Sequence, residues 1–407
     1  MTPSPFIIEP STRIARLPPY LFGRINKMKY EKRVAGIDII DLGMGNPTDP
    51  TPEAVVAKLA EAARDPRNHR YSVSNGIVGL RKEVAKRYKE KFGVTLDPET
   101  EVIVTIGSKE GFSHLCLALL GPGDTAIVPD PAFPAHLYAP AMAGASVIRV
   151  PLGNDDAFLN NIEQTIAGLY PKPKLAIFNY PHNPTGMTIE PSFWIKAIDL
   201  CRRHGVMILS DYAYGEINFE GYKAPSFLAA PGAKEIGVEF TTMSKSFNMA
   251  GWRVGFCCGN KEMVKALATI KGYYDYGHFA PIWIASVIAL RQAGKTPETQ
   301  SIEYQKRREV VCRGLDKLGW TYDRPRAGMF VWARIADAHL AVAGGGTIEF
   351  CLKMMDDAKV ALAPGRAFGE QGEKWVRIAL VENEQRLEQA MRTLQRALLP
   401  KRPSRRK

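Results

Sequence analysis

Lys245 stands where an amine could act as a nucleophile. It directly follows an apolar run, 239–243, and opens the stretch Lys245-Ser246-Phe247-Asn248-Met249-Ala250-Gly251-Trp252-Arg253-Val254-Gly255, with Ser244 just ahead of it. Burial at a strand end disfavours the ammonium form, lowers the pKa and leaves a neutral amine to attack a carbonyl. Arg253, eight residues on, offers a planar fork suited to a phosphate. A lone Ser-Lys pair would read equally well as a loop lysine beside a structural arginine, so the surrounding segments decide. Gly107-Ser108-Lys109 joins an apolar run to a helical one, and the backbone N–H groups of a helix N-terminus bind anions. Asp211 ends the run 206–210, three residues before Tyr214; alone, it would also serve as a helix cap. Asn183 sits in an Asn-Pro-Thr-Gly turn after the run 175–180. Arg377 lies in an alternating pattern over 375–380, where one reading points it to solvent.

These residues share a position: each follows or ends a short apolar run. The runs 102–106, 125–128, 146–150, 175–180, 206–210, 239–243 and 254–258 alternate with helical stretches such as 109–120, 193–204 and 261–271. Strand and helix in repetition predict an α/β fold with a wound, mostly parallel sheet, whose ligands gather at the carboxyl ends of the strands. The flanks differ. Residues 1–48 are Pro-rich and read as irregular. From about residue 285 a long helical stretch leads to 317, then short strands at 329–335, 360–363 and 375–380 and a terminal helix. The expectation is a large domain over 49–284 and a smaller α+β domain built from both chain ends, 1–48 and 285–407.

The 407 residues are 45% hydrophobic and 24% charged, ordinary for a globular protein. No apolar run is long enough to span a bilayer. Residues 1–20 lack the apolar core of a secretory signal, which makes a cytoplasmic location the expectation. The six cysteines show no metal-ligand spacing, so no metal is expected. The net charge of +12 could suggest nucleic acid, yet the basic residues are dispersed except in the tail 401–407, which reads as a solvated terminus, and no DNA-binding motif accompanies them. A positive field suits anionic substrates and a phosphorylated cofactor.

The motif from Ser244 to Gly255 resembles the Schiff-base lysine segment of the fold-type I, class I aminotransferases, the aspartate/alanine aminotransferase superfamily, and the resemblance extends from about Gly43 to Leu380. It implies pyridoxal 5′-phosphate as cofactor, with Lys245 bound to it covalently and Arg253 and the Gly107-Ser108-Lys109 turn on its phosphate. Asp211 would pair with the protonated ring nitrogen and make the ring an electron sink. Tyr214 and Asn183 would contact the ring oxygen, and Phe133 would stack on the ring face, although a core aromatic is the plainer reading of a lone Phe. Arg377 would clamp the substrate α-carboxylate with two hydrogen bonds, with Gly45 in the loop beside the substrate. Tyr71 would reach the neighbour's phosphate in a homodimer with shared sites.

Within the superfamily, Thr-Ile-Gly-Ser-Lys-Glu-Gly (105–111), Tyr-Pro-Lys-Pro-Lys (170–174) and the lysine motif are most similar to bacterial alanine (glutamate–pyruvate) aminotransferases, with LL-diaminopimelate aminotransferases alike. Aspartate-specific relatives use a second arginine from the partner. The corresponding segment here, 272–279, holds aromatics and a histidine but no arginine, so aspartate is expected to be a poor substrate. A C–S lyase would use the same lysine. A sensor built on this fold would carry an appended DNA-binding domain, for which the stretch ahead of the core is short.

Overall fold

The computed structural model describes residues 8–292 and 296–398; the basic tail, 401–407, lies outside the described residues. All seven expected central strands form: β1 (Val102–Ile106), β2 (Thr125–Asp130), β3 (Ser146–Pro151), β4 (Leu175–Asn179), β5 (Met207–Asp211), β6 (Gly237–Thr242) and β7 (Val254–Gly259). They build one sheet in the order β1-β7-β6-β5-β4-β2-β3. The run β3-β2-β4-β5-β6 is parallel, whereas β7 is antiparallel to both of its neighbours.

Both faces of the sheet are covered, and alternate side chains feed two separate cores. Val102, Val104, Ala176 and Phe178 join one core, while Ile103, Leu175 and Ile177 join the other, against helices Ser108–Leu119, Pro134–Met142 and Lys261–Tyr274. That double burial explains why these strands read as continuous apolar runs.

A third core carries Tyr304, Val311, Leu315, Phe330, Val331, Ile378 and Leu394. It belongs to an antiparallel sheet of Ala363–Pro364, Trp375–Ala379, Phe330–Arg334 and Thr321–Tyr322. A two-stranded parallel ladder, Ile40–Asp41 with Val360–Ala361, joins the two chain ends.

Three local expectations are corrected. Residues 1–48 are not wholly irregular, since Leu21–Val34 is a helix that begins after Pro18 and Pro19. The helical stretch around 285–317 is two helices, Ala280–Arg291 and Thr296–Leu318; Trp283, Ala285, Ala289 and Leu290 of the former pack in the core of the seven-stranded sheet. The run 360–363 divides between two ladders, because Val360–Ala361 pairs with the N-terminal strand and Ala363–Pro364 with Trp375–Ala379.

The seven-stranded sheet also holds a buried acid. Glu239 on β6 accepts hydrogen bonds from Tyr88 Oη (2.8 Å), Ser226 Oγ (2.7 Å) and Phe227 N (2.7 Å). Burial pushes its carboxyl up to about 7 from an ordinary 4.5, against the pull of those donors. Below pH 4.5 folded and unfolded chains both hold this proton. Between 4.5 and 7 only the folded chain does, so this group's contribution to stability falls as pH rises, by about 3 kcal/mol in all. Comparing chemical denaturation of the parent with Glu239→Gln should therefore show the difference moving in the variant's favour by about that amount between pH 4.5 and pH 8. A difference that stays constant with pH would show that Glu239 does not titrate in this range.

Candidate active site

Strands β4 and β5 end level with one another, since Asn179 faces Asp211, and β6 runs two residues past Phe240, which faces Asp211 in the next ladder. Their carboxyl ends therefore deliver three polar segments to one edge. Asp211 ends β5; its Oδ2 lies 2.8 Å from His136 Nε2 and its Oδ1 accepts from Ala213 N at 3.1 Å. Asn179 fixes the neighbouring loops: its Nδ2 donates to the Asp211 carbonyl (2.9 Å) and its Oδ1 accepts from Asn183 N (2.9 Å). Asn183 Nδ2 in turn donates to Tyr214 Oη at 3.3 Å. Burial pushes the Tyr214 phenol well above its ordinary value, so it is a neutral hydroxyl.

Lys245 follows β6 in the short helix Met243–Ser246. Its amine is lowered to about 8, first by burial and then by the charges of Arg377 and Arg253, with Asp211 opposing. Ser244 Oγ is held by Thr242 Oγ1 at 2.9 Å.

The antiparallel setting of β7 brings Arg253 to the same edge. Val254, the first residue of β7, faces Ile106, the last of β1, so Arg253 meets the turn at Gly107. Arg253 adopts the left-handed region (φ 55°), uncommon for a residue with a side chain, and its Nη1 donates to Ala250 O at 2.9 Å. A Cβ on Gly107 would lie 2.3 Å from Arg253 Nη2; the glycine is what lets the guanidinium close on the N-terminus of helix Ser108–Leu119. No side chain caps that helix, so its first N–H groups and Arg253 converge on one spot.

Arg377 comes from the four-stranded antiparallel sheet, on strand Trp375–Ala379. Its guanidinium lies between the rings of Phe330 (4.1 Å) and Phe368 (4.7 Å). Nη1 donates to Asn183 Oδ1 and Nη2 to Gly43 O, both at 2.8 Å, while Nε is buried without a partner. Burial lowers it to about 10, still charged at neutral pH. Gly45 O accepts from Lys245 Nζ, and a Cβ on Gly45 would lie 2.6 Å from Phe330 Cζ.

The fold thus brings Arg377, Asn183 and Tyr214 into one hydrogen-bonded chain and sets Lys245 against Gly45 in the loop that also holds Arg377, with Asp211 and the Gly107–Arg253 pair on the same edge. Phe133 caps helix Pro134–Met142, its ring 5.5 Å from that of His136. Two expected residues stand apart within the single chain. The Lys109 side chain is exposed, and Tyr71 is 91% exposed, its ring beside that of Tyr276. His136, Asn179, Phe330 and Phe368 went unnoticed in the sequence. A lone histidine on an apolar helix gives no local signal; it would emerge only by asking what could hold the carboxylate at the end of β5.

These groups fit pyridoxal phosphate. A desolvated amine suits its aldehyde, a histidine-held carboxylate its ring nitrogen, and a guanidinium with an uncapped helix N-terminus its phosphate; the unpartnered Nε of Arg377 is a spare donor beside them. Fold and site define a pyridoxal-phosphate enzyme.

The family described as aminotransferase class I and II matches residues 37–394. The chain is 46% identical over 381 residues to glutamate-pyruvate aminotransferase AlaC of Escherichia coli strain K12, covering 94% of this chain and 92% of that one. It is 39% identical over 391 residues to the LL-diaminopimelate aminotransferase of Moorella thermoacetica, covering 96% and 99%. Among solved structures, apo-BacF of Bacillus subtilis matches with a TM-score of 0.91 at 33% identity, over 97% of this chain and 99% of that one. The chain belongs to the class I and II aminotransferase family: it is a transaminase, and its cofactor is pyridoxal 5′-phosphate.

Proposed function

We propose that this transaminase exchanges an amino group between L-alanine and 2-oxoglutarate in a ping-pong cycle, the donor leaving as its keto acid before the acceptor enters. The observation that carries the reading is the Arg377 guanidinium, buried between Phe330 and Phe368, whose charge helps lower the Lys245 amine. One such fork suffices for an α-carboxylate, and an apolar wall suits a methyl side chain. When bound, the cofactor supplies a conjugated ring that accepts the electron pair left on Cα. Lys245 would take the substrate's Cα proton and carry it to the cofactor side of the site. Asp211, oriented by His136, keeps the proton on the ring nitrogen. Tyr214 and Asn183 hold the ring oxygen, and Phe133 covers the ring face. Arg253, Ser244 and the N–H groups after Gly107 grip the phosphate. Arg377 and Asn183 bind the substrate carboxylate, with Gly45 alongside.

Segment 272–279 contains no arginine, and Tyr273 is 90% exposed in the single chain. We read that segment, with Tyr71, as part of a homodimer interface that completes each site. A buried side-chain carboxylate without a cation is costly, so aspartate should react poorly, while tyrosine and histidine donors or Lys109 take the distal carboxylate of glutamate. The chain works as two bodies, about 49–284 and 1–48 with 285–407, although the end of helix Ala280–Arg291 packs with the first of them. No helix among the described residues is long and apolar enough to cross a membrane, and a cytoplasmic location suits this chemistry.

LL-diaminopimelate is the second reading, favoured by relatives of that name at 38–39% identity over some 95% of the chain. The test is the catalytic efficiency for alanine, aspartate and LL-diaminopimelate against 2-oxoglutarate. Alanine should lead; a competitor favoured by more than about tenfold, roughly 1.4 kcal/mol in transition-state binding, would reject the alanine assignment. Ammonia release without any keto-acid acceptor would identify a C–S lyase instead.

A further inference from the structure

Two backbone carbonyls receive the side chains on which the proposed chemistry depends. Arg377 Nη2 donates to Gly43 O, and the free amine of Lys245 to Gly45 O. Both carbonyls belong to a loop with no regular structure of its own. The loop is tightly enclosed: beyond the Gly45 contact with Phe330, a Cβ on Gly43 would lie 3.3 Å from the Leu362 carbonyl group. One side chain holds two of its amides. Asp41 Oδ1 accepts from Gly43 N at 3.0 Å and from Met44 N at 3.3 Å, and its Oδ2 accepts from Lys29 Nζ at 2.5 Å.

Lys29 lies on helix Leu21–Val34, and its side chain is only 5% exposed against 17% for Asp41. An ammonium so desolvated is held by its partner, and removing one member leaves the other charge uncompensated. The same helix touches the second wall of the arginine site, with the Phe22 ring 5.6 Å from Phe368.

We propose that the Lys29–Asp41 ion pair is a positioning device for substrate binding. Lys29 orients the Asp41 carboxylate, Asp41 sets the two amides, and the amides set the carbonyls against which Arg377 and Lys245 rest. Neither residue touches substrate or cofactor. The inference rests on the reading of Arg377 as the carboxylate clamp.

The experiment uses the holoenzyme with Asp41→Ala, the double variant Lys29→Met/Asp41→Asn, and Arg377→Lys alongside. The double variant removes both charges but keeps an oxygen where Oδ1 accepts. In Asp41→Ala, KM for alanine and for 2-oxoglutarate should both rise by about tenfold or more, because small displacements at a reacting centre are amplified. Cofactor affinity should stay within about twofold, since the phosphate grip is untouched. Backbone amide exchange at Gly43 and Met44 should quicken while that of β1 stays as in the parent. The double variant should return both KM values most of the way.

Unchanged KM in Asp41→Ala overturns the inference, as does a double variant as impaired as Asp41→Ala. Should Asp41→Ala fail to fold, the double variant still decides by the same comparison with the parent. If Arg377→Lys raises KM and Asp41→Ala does not, only the positioning role falls. If Arg377→Lys also leaves KM unchanged, the clamp reading falls and this inference with it.

Discussion

Lys245→Ala is expected to abolish the borohydride-reducible bond between chain and cofactor and to lower turnover by roughly 10⁴-fold or more, since both the covalent anchor and the proton carrier are lost. Position and electrostatics single this lysine out. It is half-buried at the sheet's carboxyl edge, and Arg377 and Arg253 add to the desolvation that brings it to about 8. Covalent capture of added cofactor by the cofactor-free chain should follow from that value. An ammonium cannot attack a carbonyl, so the capture rate should rise with pH through about 8 and level off above it. Lysines exposed to water stay protonated until near 10.4, so a reaction at a surface amine would keep rising well beyond. Peptide mapping after reduction locates the adduct. An adduct on another lysine, or a capture rate still climbing at pH 10, would remove Lys245 from the role.

Why Lys245 was legible and His136 was not follows from where each residue finds its partners. The strand runs announce themselves because β1, β4, β5 and β6 are buried on both faces, and the polar residue that ends each run is then conspicuous. That logic exposes Asp211, Asn183 and Lys245. The sequence also marks β7 as a strand, but nothing in it says that β7 slots antiparallel between β1 and β6. That insertion is what carries Arg253 to Gly107. His136 acts through a partner 75 residues away, a pairing that exists only once helix Pro134–Met142 lies over the strand ends. Helix Leu21–Val34 escaped notice for a related reason. It carries Arg24, Lys27, Lys29, Lys32 and Arg33 and buries only Phe22, Ile25 and Lys29, so it has hardly an apolar stripe to read. Its lysine is buried because Asp41 receives it, a contact between elements that the sequence does not order in space.

Asp211→Ala should separate cofactor binding from proton transfer at Cα. Arg253 and the helix after Gly107 lie on the far strands β7 and β1, and neither depends on Asp211, so the variant should still bind the cofactor and form the reducible bond. Exchange of the alanine Cα proton with solvent should fall by several orders of magnitude. If Asp211 pairs with the ring nitrogen as proposed, its loss would leave that nitrogen unprotonated and the electron pair at Cα less stabilised. His136 offers a graded comparison. Its Nε2 meets Asp211 Oδ2 at 2.8 Å, while Ala213 N still holds Oδ1. His136→Phe should therefore loosen the carboxylate without removing it, lowering Cα proton exchange by about ten- to a hundredfold. The cofactor absorbance should also shift to a different dependence on pH, because the carboxylate then pairs less well with the ring nitrogen. A loss confined to protein stability, with exchange rate and absorbance unmoved, would mean that His136 only packs against Phe133 and Phe112. If Asp211→Ala keeps most of the exchange rate, the carboxylate at the end of β5 is a structural cap for Ala213 N. Proton removal by Lys245 would then have to be supported by Tyr214, Asn183 and Arg377 without that carboxylate.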